Sequence, residues 1–324
     1  MNSIATPVSP KPAVRSGPLH SGHVHTGAVE FVHVAGRAGR LAAYLELAKP
    51  RIAIMVLVAV SVGYLLASQG NWNPWPLGHA CLGILLAVVA SSALNQILER
   101  KTDSLMPRTQ GRPLPSARLK TSEVVIFALL CSAISFVYLL LTVNTLTAFL
   151  TLTTTVLYAG CYTPLKRHSA LCTVVGAVPG ALPPVLGWAA AGNGLDLGAF
   201  SLFAILFIWQ FPHFLAIGWI YQDQYRDAGL KMLPGNGMPG IVGVISTGYA
   251  LVLIPISLLP AKIGLTGQLY PLIALIMGGA YLWSAVCFQR NESRKNARMV
   301  VWVSLVYLPI ILATMAFDHL RLLQ

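Results

Sequence analysis

Charge is what this sequence has least of. Only 10% of its 324 residues are Asp, Glu, Lys or Arg, against about 25% in soluble domains. With 56% hydrophobic residues and a mean hydropathy of +0.68, the chain has too few charges to wet a globule of its size. A soluble enzyme of one or two domains is therefore excluded. Period-two alternation is missing as well, and an exposed sheet edge cannot persist in hydrocarbon, so membrane strands are excluded and helices remain. The five cysteines, Cys81, Cys131, Cys161, Cys172 and Cys287, form no CxxC pair. They lie in or beside apolar runs and read as small buried hydrophobes, not as a disulfide scaffold. There is no P-loop. Gly235, Gly237 and Gly240 match G-x-G-x-x-G, but without the strand–turn–helix context of dinucleotide binding, and read as a loop entering a helix.

What the sequence does have is long uncharged stretches. No Asp, Glu, Lys or Arg occurs from Ile52 to Leu98, Val124 to Leu165, Leu197 to Gln222, Met232 to Ala261, Ile263 to Gln289 or Met299 to Phe317. A hydrocarbon core about 30 Å thick takes about 20 helical residues, so several stretches hold two crossings. The expectation is nine transmembrane helices around a central cavity, near Ile52–Ser68, Gly78–Leu98, Val124–Thr142, Thr145–Tyr162, Leu171–Ala191, Ala199–Tyr221, Ile241–Leu259, Leu269–Phe288 and Met299–Phe317. Asn71 to Pro76 mixes turn formers with two tryptophans, as a hairpin at the headgroups should. The break at Val143-Asn144 is a weaker signal.

The net charge of +12 invites a nucleic-acid reading. With nine crossings, however, every Lys and Arg except Lys262 and Arg321 falls on one side. The positive-inside rule makes that side cytoplasmic, with the N-terminus inside and the C-terminus outside. The basicity then reports topology. The first 40 residues, rich in Pro, Ser, Gly and His, lack a long apolar run and are expected to be a disordered cytoplasmic leader, with 41–324 a single membrane domain. Such a leader also resembles a transit peptide.

A charge at the centre of a membrane helix costs roughly 3 kcal/mol, so acids at span ends are where function should be sought. Four of the ten acids fall in two places: Glu99 and Asp103, following Asn95 at the cytoplasmic end of the second helix, and Asp223 and Asp227 at the cytoplasmic end of the sixth. The i, i+4 spacing stacks each pair on one helical face. The four-helix offset between them suggests two corresponding halves across a cavity. Arg108, Arg112, Lys166, Arg167 and Arg226 are placed near these acids. Oxygens mixed with guanidinium and ammonium groups suit Mg²⁺ bridging the protein to a diphosphate. Glu99 and Asp103 as mere partners of Arg100, Lys101 and Arg108 at a wet helix end is the competing reading.

These motifs resemble those of the UbiA superfamily of intramembrane prenyltransferases. They are Asn95-Gln-Ile-Leu-Glu-Arg-Lys-Thr-Asp103 running to Arg112-Pro-Leu114, Tyr162-Thr-Pro-Leu-Lys-Arg167, Pro183-Pro-Val-Leu-Gly-Trp188 and Trp209-Gln-Phe-Pro-His-Phe214. The last two point to the protohaem IX farnesyltransferase (haem O synthase) branch. The resemblance implies Mg²⁺-dependent transfer of farnesyl from farnesyl diphosphate to a vinyl group of haem B, with possible contact with haem A synthase or oxidase assembly proteins. A short chain with a modest leader points to the bacterial inner membrane ahead of the mitochondrial one. The resemblance assigns Asn95, Glu99, Asp103, Asp223 and Asp227 to the metal, and Arg108, Arg112, Lys166 and Arg167 to the diphosphate. Tyr158, Tyr162, Trp209, Phe211, Phe214 and Trp219 are candidates to line the allylic cation, with packing or interface anchoring as the competing reading. His213 is a candidate for haem ligation, orientation of a haem propionate or proton transfer, and a neutral His hydrogen-bonded to a neighbouring helix is its competing reading. Two positions depart from the family pattern: Glu99 stands where Asp is usual, and Gln224 where the branch has an acid. An aromatic or chlorophyllide acceptor would keep the same site. A cation-coupled transporter is the reading of a different class, and it predicts acids deeper in the spans.

Overall fold

The computed structural model describes residues 37–233 and 240–324; the glycine-rich loop and most of the expected leader lie outside them. Helix is the only regular secondary structure among the described residues, which contain no strand. Eight helices are long and apolar enough to cross a membrane. The first is α2 (Pro50–Ala67), preceded by a short α1 (Arg37–Ala48), and the second is α3 (Pro74–Asp103). The Asn73 side chain accepts from the Trp75 N–H and caps α3 where the headgroup turn is expected. At 30 residues, α3 is about 45 Å long. It therefore outruns a hydrocarbon core of about 30 Å, and its last turns carry Glu99 and Asp103 beyond that core.

After α4 (Thr121–Thr142), Asn144 caps α5 (Thr145–Val156) through the Thr147 N–H at 2.8 Å. The expected helix Thr145–Tyr162 is not one α-helix. It passes through a π-helical turn, Leu157–Tyr162, into α6 (Thr163–Leu165). The stretch expected at Leu171–Ala191 is also divided, into α7 (Cys172–Ala181) and α8 (Pro183–Ala190). Consecutive prolines there remove two N–H donors from the ladder. Then come α9 (Leu197–Ile220), α10 (Gln222–Asp227), α11 (Ile241–Ser257), α12 (Leu259–Lys262), α13 (Leu269–Arg290) and α14 (Arg294–Leu322).

Two glycines set the closest helix packing. A Cβ at Gly63 would collide with the Pro184 carbonyl, and one at Gly187 with the Val60 carbonyl, so α2 and α8 touch backbone to backbone. The main core joins α2, α7 to α9, α11, α13 and α14, with Tyr270, Tyr281, Tyr307 and Phe288 fully buried. Outward faces stay apolar: Ile126, Leu129, Ile134 and Leu141 of α4 are all exposed, as a lipid-facing stripe requires.

The helix ends sort themselves into two sets. Lys49, at the start of α2, reaches Asn95 on α3, and Arg100 of α3 donates to Thr121 at the start of α4. Lys166, after α6, reaches Glu99, and Cys172, opening α7, approaches the Lys231 carbonyl. At this same end Glu292, after α13, accepts from the N–H groups of Gly240 and Gly243 that begin α11. The opposite end is built differently: the buried Asp318 carboxylate of α14 accepts from the Tyr270 N–H at the start of α13.

Candidate active site

Three oxygen-bearing side chains line one face of α3 near its end. Asn95, Glu99 and Asp103 recur at i, i+4, i+8 and are all buried. Each is answered by a group from elsewhere. Lys166 Nζ donates to Glu99 Oε1 at 2.7 Å, and Arg112 donates to Asp103 Oδ2 at 2.7 Å. Lys49 Nζ donates to Asn95 Oδ1 at 3.4 Å, and Asn95 Nδ2 donates to Thr163 Oγ1 at 3.1 Å. Asp103 Oδ1 is buried with no hydrogen-bond partner. A hard-oxygen set with one carboxylate oxygen left open fits a divalent cation of the Mg²⁺ type. Asp, Glu, His and Cys side chains alone do not supply it, since no three of them cluster among the described residues. The remaining ligands would be the Asn95 amide, water and substrate oxygens, as is usual for Mg²⁺.

The cations owe their places to backbone features. Lys49 sits at φ 50°, ψ 64° ahead of Pro50. Proline disfavours the right-handed helical region for the residue before it, and a left-handed lysine costs about 1–2 kcal/mol. Burial, together with the positive charges of Arg112 and Lys166, pushes its ammonium down to about 8. Lys166 moves the other way. Burial works against its charge, but the Tyr162 ring and the Glu99 carboxylate beside it hold its pKa above the usual lysine value. Its Nζ lies 4.2 Å from the Tyr162 ring centroid, in cation–π range. The π-helical turn puts Tyr162 there, and such turns recur at functional sites.

The other expected residues divide. Arg108 turns away from α3: its guanidinium lies 4.7 Å over the Tyr221 ring and donates to the Tyr225 hydroxyl at 3.0 Å. Arg167 donates to the Leu98 carbonyl. Asp223 and Asp227 are exposed on α10, with Arg226 bonded to Asp223 at 2.8 Å and lying 3.8 Å from Asp227. Their loop nevertheless packs on the loop after α3 through Met106, Ala228 and Leu230.

The aromatic candidates scatter. Tyr158 and Tyr162 pair 5.4 Å apart beside Lys166, whereas Phe211 stacks on Tyr249 and Trp219 packs edge-on to Phe288. Phe214 is partly exposed on α9. Trp209 donates to the Ser304 carbonyl and stacks on His213. His213 Nδ1 is 2.6 Å from Ser304 Oγ, a contact between α9 and α14 away from the carboxylates. Lys49 and Thr163 are the site residues that sequence reasoning missed. The Lys-Pro step before the first span marks Lys49 only as a cation at the membrane boundary, not as a partner of Asn95.

The model of the UbiA prenyltransferase family matches residues 56–320. The chain belongs to that family. Protoheme IX farnesyltransferase of Solibacter usitatus is 40% identical over 85% of this chain and 98% of its own length. Among solved structures, digeranylgeranylglyceryl phosphate synthase superposes with a TM-score of 0.75 at 15% identity, covering 87% of this chain and 99% of the other. A UbiA homolog from Archaeoglobus fulgidus bound to DMAPP and Mg²⁺ does so at 0.63 and 13% identity, covering 86% and 99%. These likenesses establish a UbiA fold, and in this member the end of α3 buries Glu99 and Asp103.

Proposed function

We propose that the protein transfers the farnesyl group of farnesyl diphosphate to a vinyl group of haem B, giving haem O. The observation that carries this reading is the buried Asn95–Glu99–Asp103 face countered by Lys49, Arg112 and Lys166. Mixed charges of this kind suit a metal-bound diphosphate better than a bare cation or a bare anion. The farnesyltransferase from Solibacter supports the choice of acceptor.

Asn95, Glu99 and Asp103 would hold Mg²⁺, which when bound neutralises charge developing on the leaving diphosphate. Arg112 and Lys166, each within 2.7 Å of one of these carboxylates, would donate to the diphosphate oxygens. Asp223 and Asp227 are proposed to serve it from α10, which Arg108 ties to the α3 loop through Tyr225. Breaking the C1–O bond leaves an allylic cation beside Tyr158 and Tyr162, whose ring faces stabilise it by about 0.5–2 kcal/mol each. The vinyl π pair then forms the new C–C bond. Water captures the resulting cation next to the porphyrin and loses a proton, giving the hydroxyethylfarnesyl chain.

The proposed setting is the bacterial inner membrane, with residues 41–324 forming one nine-span domain and the product passing to haem A synthase or oxidase assembly. Glu99→Gln and Asp103→Asn should each abolish haem O while the protein stays inserted. Extraction and chromatography of haems from expressing cells reads this, and wild-type amounts of haem O from both variants would remove the proposal. Labelled farnesyl diphosphate offered with 4-hydroxybenzoate, a naphthoate or a chlorophyllide tests the acceptor.

A further inference from the structure

A concave feature is lined by none of the α3 carboxylates. It is a cavity of about 410 Å³ between the ends of α9 and α14, within the usual range for small-molecule sites of about 300–1,000 Å³. Arg294 and Arg298, i and i+4 on α14, enter it together with Arg108 from the loop after α3. Among the described residues no carboxylate lies within 4.0 Å of any of these three guanidinium groups. Ile217, Ile220 and Val301 give the cavity an aliphatic wall, and Trp302, 69% exposed, forms a lipid-facing edge. Gln224 contributes an amide whose Oε1 is buried without a partner.

Three guanidinium groups without a carboxylate partner, of which Arg108 also contacts Tyr221 and Tyr225, over an apolar wall call for a ligand with carboxylates on one edge and a flat hydrophobic body. Bidentate arginine–carboxylate bonds are the strong, directional form of that contact. Farnesyl diphosphate is a poor match. It needs acidic oxygens for its metal, and Asn95, Glu99 and Asp103 have their own cations. We infer that this cavity is the acceptor subsite, in which Arg294 and Arg298 grip the propionate carboxylates of the porphyrin while its face lies against Ile217, Ile220 and Val301. This inference rests on the acceptor being protohaem, whose vinyl groups lie on the edge away from its propionates and so stay free to react. Arg108, one residue from the Thr109 hydroxyl that donates to the Asp103 carbonyl, links the two subsites.

The test uses the full chain in phosphatidylcholine nanodiscs, comparing wild type, Arg294→Gln, Arg298→Gln and the double variant. Soret titration with haem should show affinity falling about tenfold per arginine. The dimethyl ester, whose propionates are blocked, should bind the wild type weakly and the variants equally weakly, and KM for farnesyl diphosphate should not change. Unchanged haem affinity in the variants overturns the inference, as does an equal loss for haem and its ester. A second set of discs containing phosphatidylglycerol separates the lipid source of anions. If that lipid displaces haem only through these arginines, and haem affinity in pure phosphatidylcholine ignores them, the cavity is a headgroup site and the inference fails. Should the wild type make haem O while the variants keep its KM for haem, the inference alone falls. A wild type that makes no haem O takes the acceptor reading down with it.

Discussion

Glu99 and Lys166 hold each other where neither has water to turn to, with side chains 11% and 12% exposed. Removing one member of such a pair leaves the other charge stranded, at about 3–5 kcal/mol, whereas removing both is often close to neutral. Lys166→Met should therefore lower the thermal midpoint in detergent, and adding Glu99→Gln should recover most of that loss while the double variant stays inactive. Circular dichroism melts and a haem O assay measure the two halves separately. Activity returning along with stability would make the pair structural and nothing more. Glu99 and Asp103 are legible in the sequence because i, i+4 spacing at the end of an apolar run leaves few alternatives. Lys49 is not. A lysine before proline at a span boundary reads as an interfacial cation, and only its left-handed backbone turns it inward to Asn95. Asp223 and Asp227 show the reverse limit, since the same spacing on a six-residue helix lets a single neighbour, Arg226, take up both carboxylates.

Between elements, the approach of α2 to α8 depends on the hydrogen atoms at Gly63 and Gly187. Gly187→Ala would drive a methyl into the Val60 carbonyl, a backbone group that can yield only if the helix moves. A destabilisation of about 1–3 kcal/mol or more is expected. Gly248→Ala in α11, where a Cβ meets nothing within 4 Å, should be neutral or stabilise by up to about 1 kcal/mol. Paired thermal melts check the contrast, and similar losses at both positions would show that helix propensity, not interhelical contact, governs. Apolar run lengths place most of the span boundaries, because leaving hydrocarbon is a change of solvent visible in composition. They say little about the ladder inside a span. The π-helical turn at Leu157–Tyr162 arises in an uninterrupted apolar stretch, and no residue there announces it. The short α1 also escapes a hydropathy search. Its Ala43 and Leu47 are buried against Ala93, Leu114 and Val124, yet Arg37, Arg40 and Glu46 keep its average polar.

For the whole molecule, the number of crossings decides where the chain ends. Among the described residues eight spans satisfy length and hydropathy, one of them α7 with α8 and another α11 with α12, and the threonine-rich segment from Thr145 to Leu165, divided by a π-helical turn, is not among them. Its ends argue for a crossing. Thr121 opens α4 beside Arg100, and Lys166 follows α6 beside Glu99, the preceding residue of the same helix. A chain that leaves this end through α4 and comes back to it must traverse the same thickness twice. The cavity makes the same point farther along, since Arg108, Tyr221 and Arg294 share one wall although long stretches of chain separate them. Nine crossings with the basic loops inside, the proposed topology, would put Gln324 on the outer face of the membrane. Alkaline phosphatase fused after Gln324 should then be active, and a fluorescent protein that folds only in the cytoplasm should stay dark there. The two reporters should exchange behaviour when fused after Lys231. A bright fluorescent C-terminal fusion would leave an even number of crossings and set the α5 segment back among the cytoplasmic loops, and its Tyr158–Tyr162 wall could no longer shelter a cation from water.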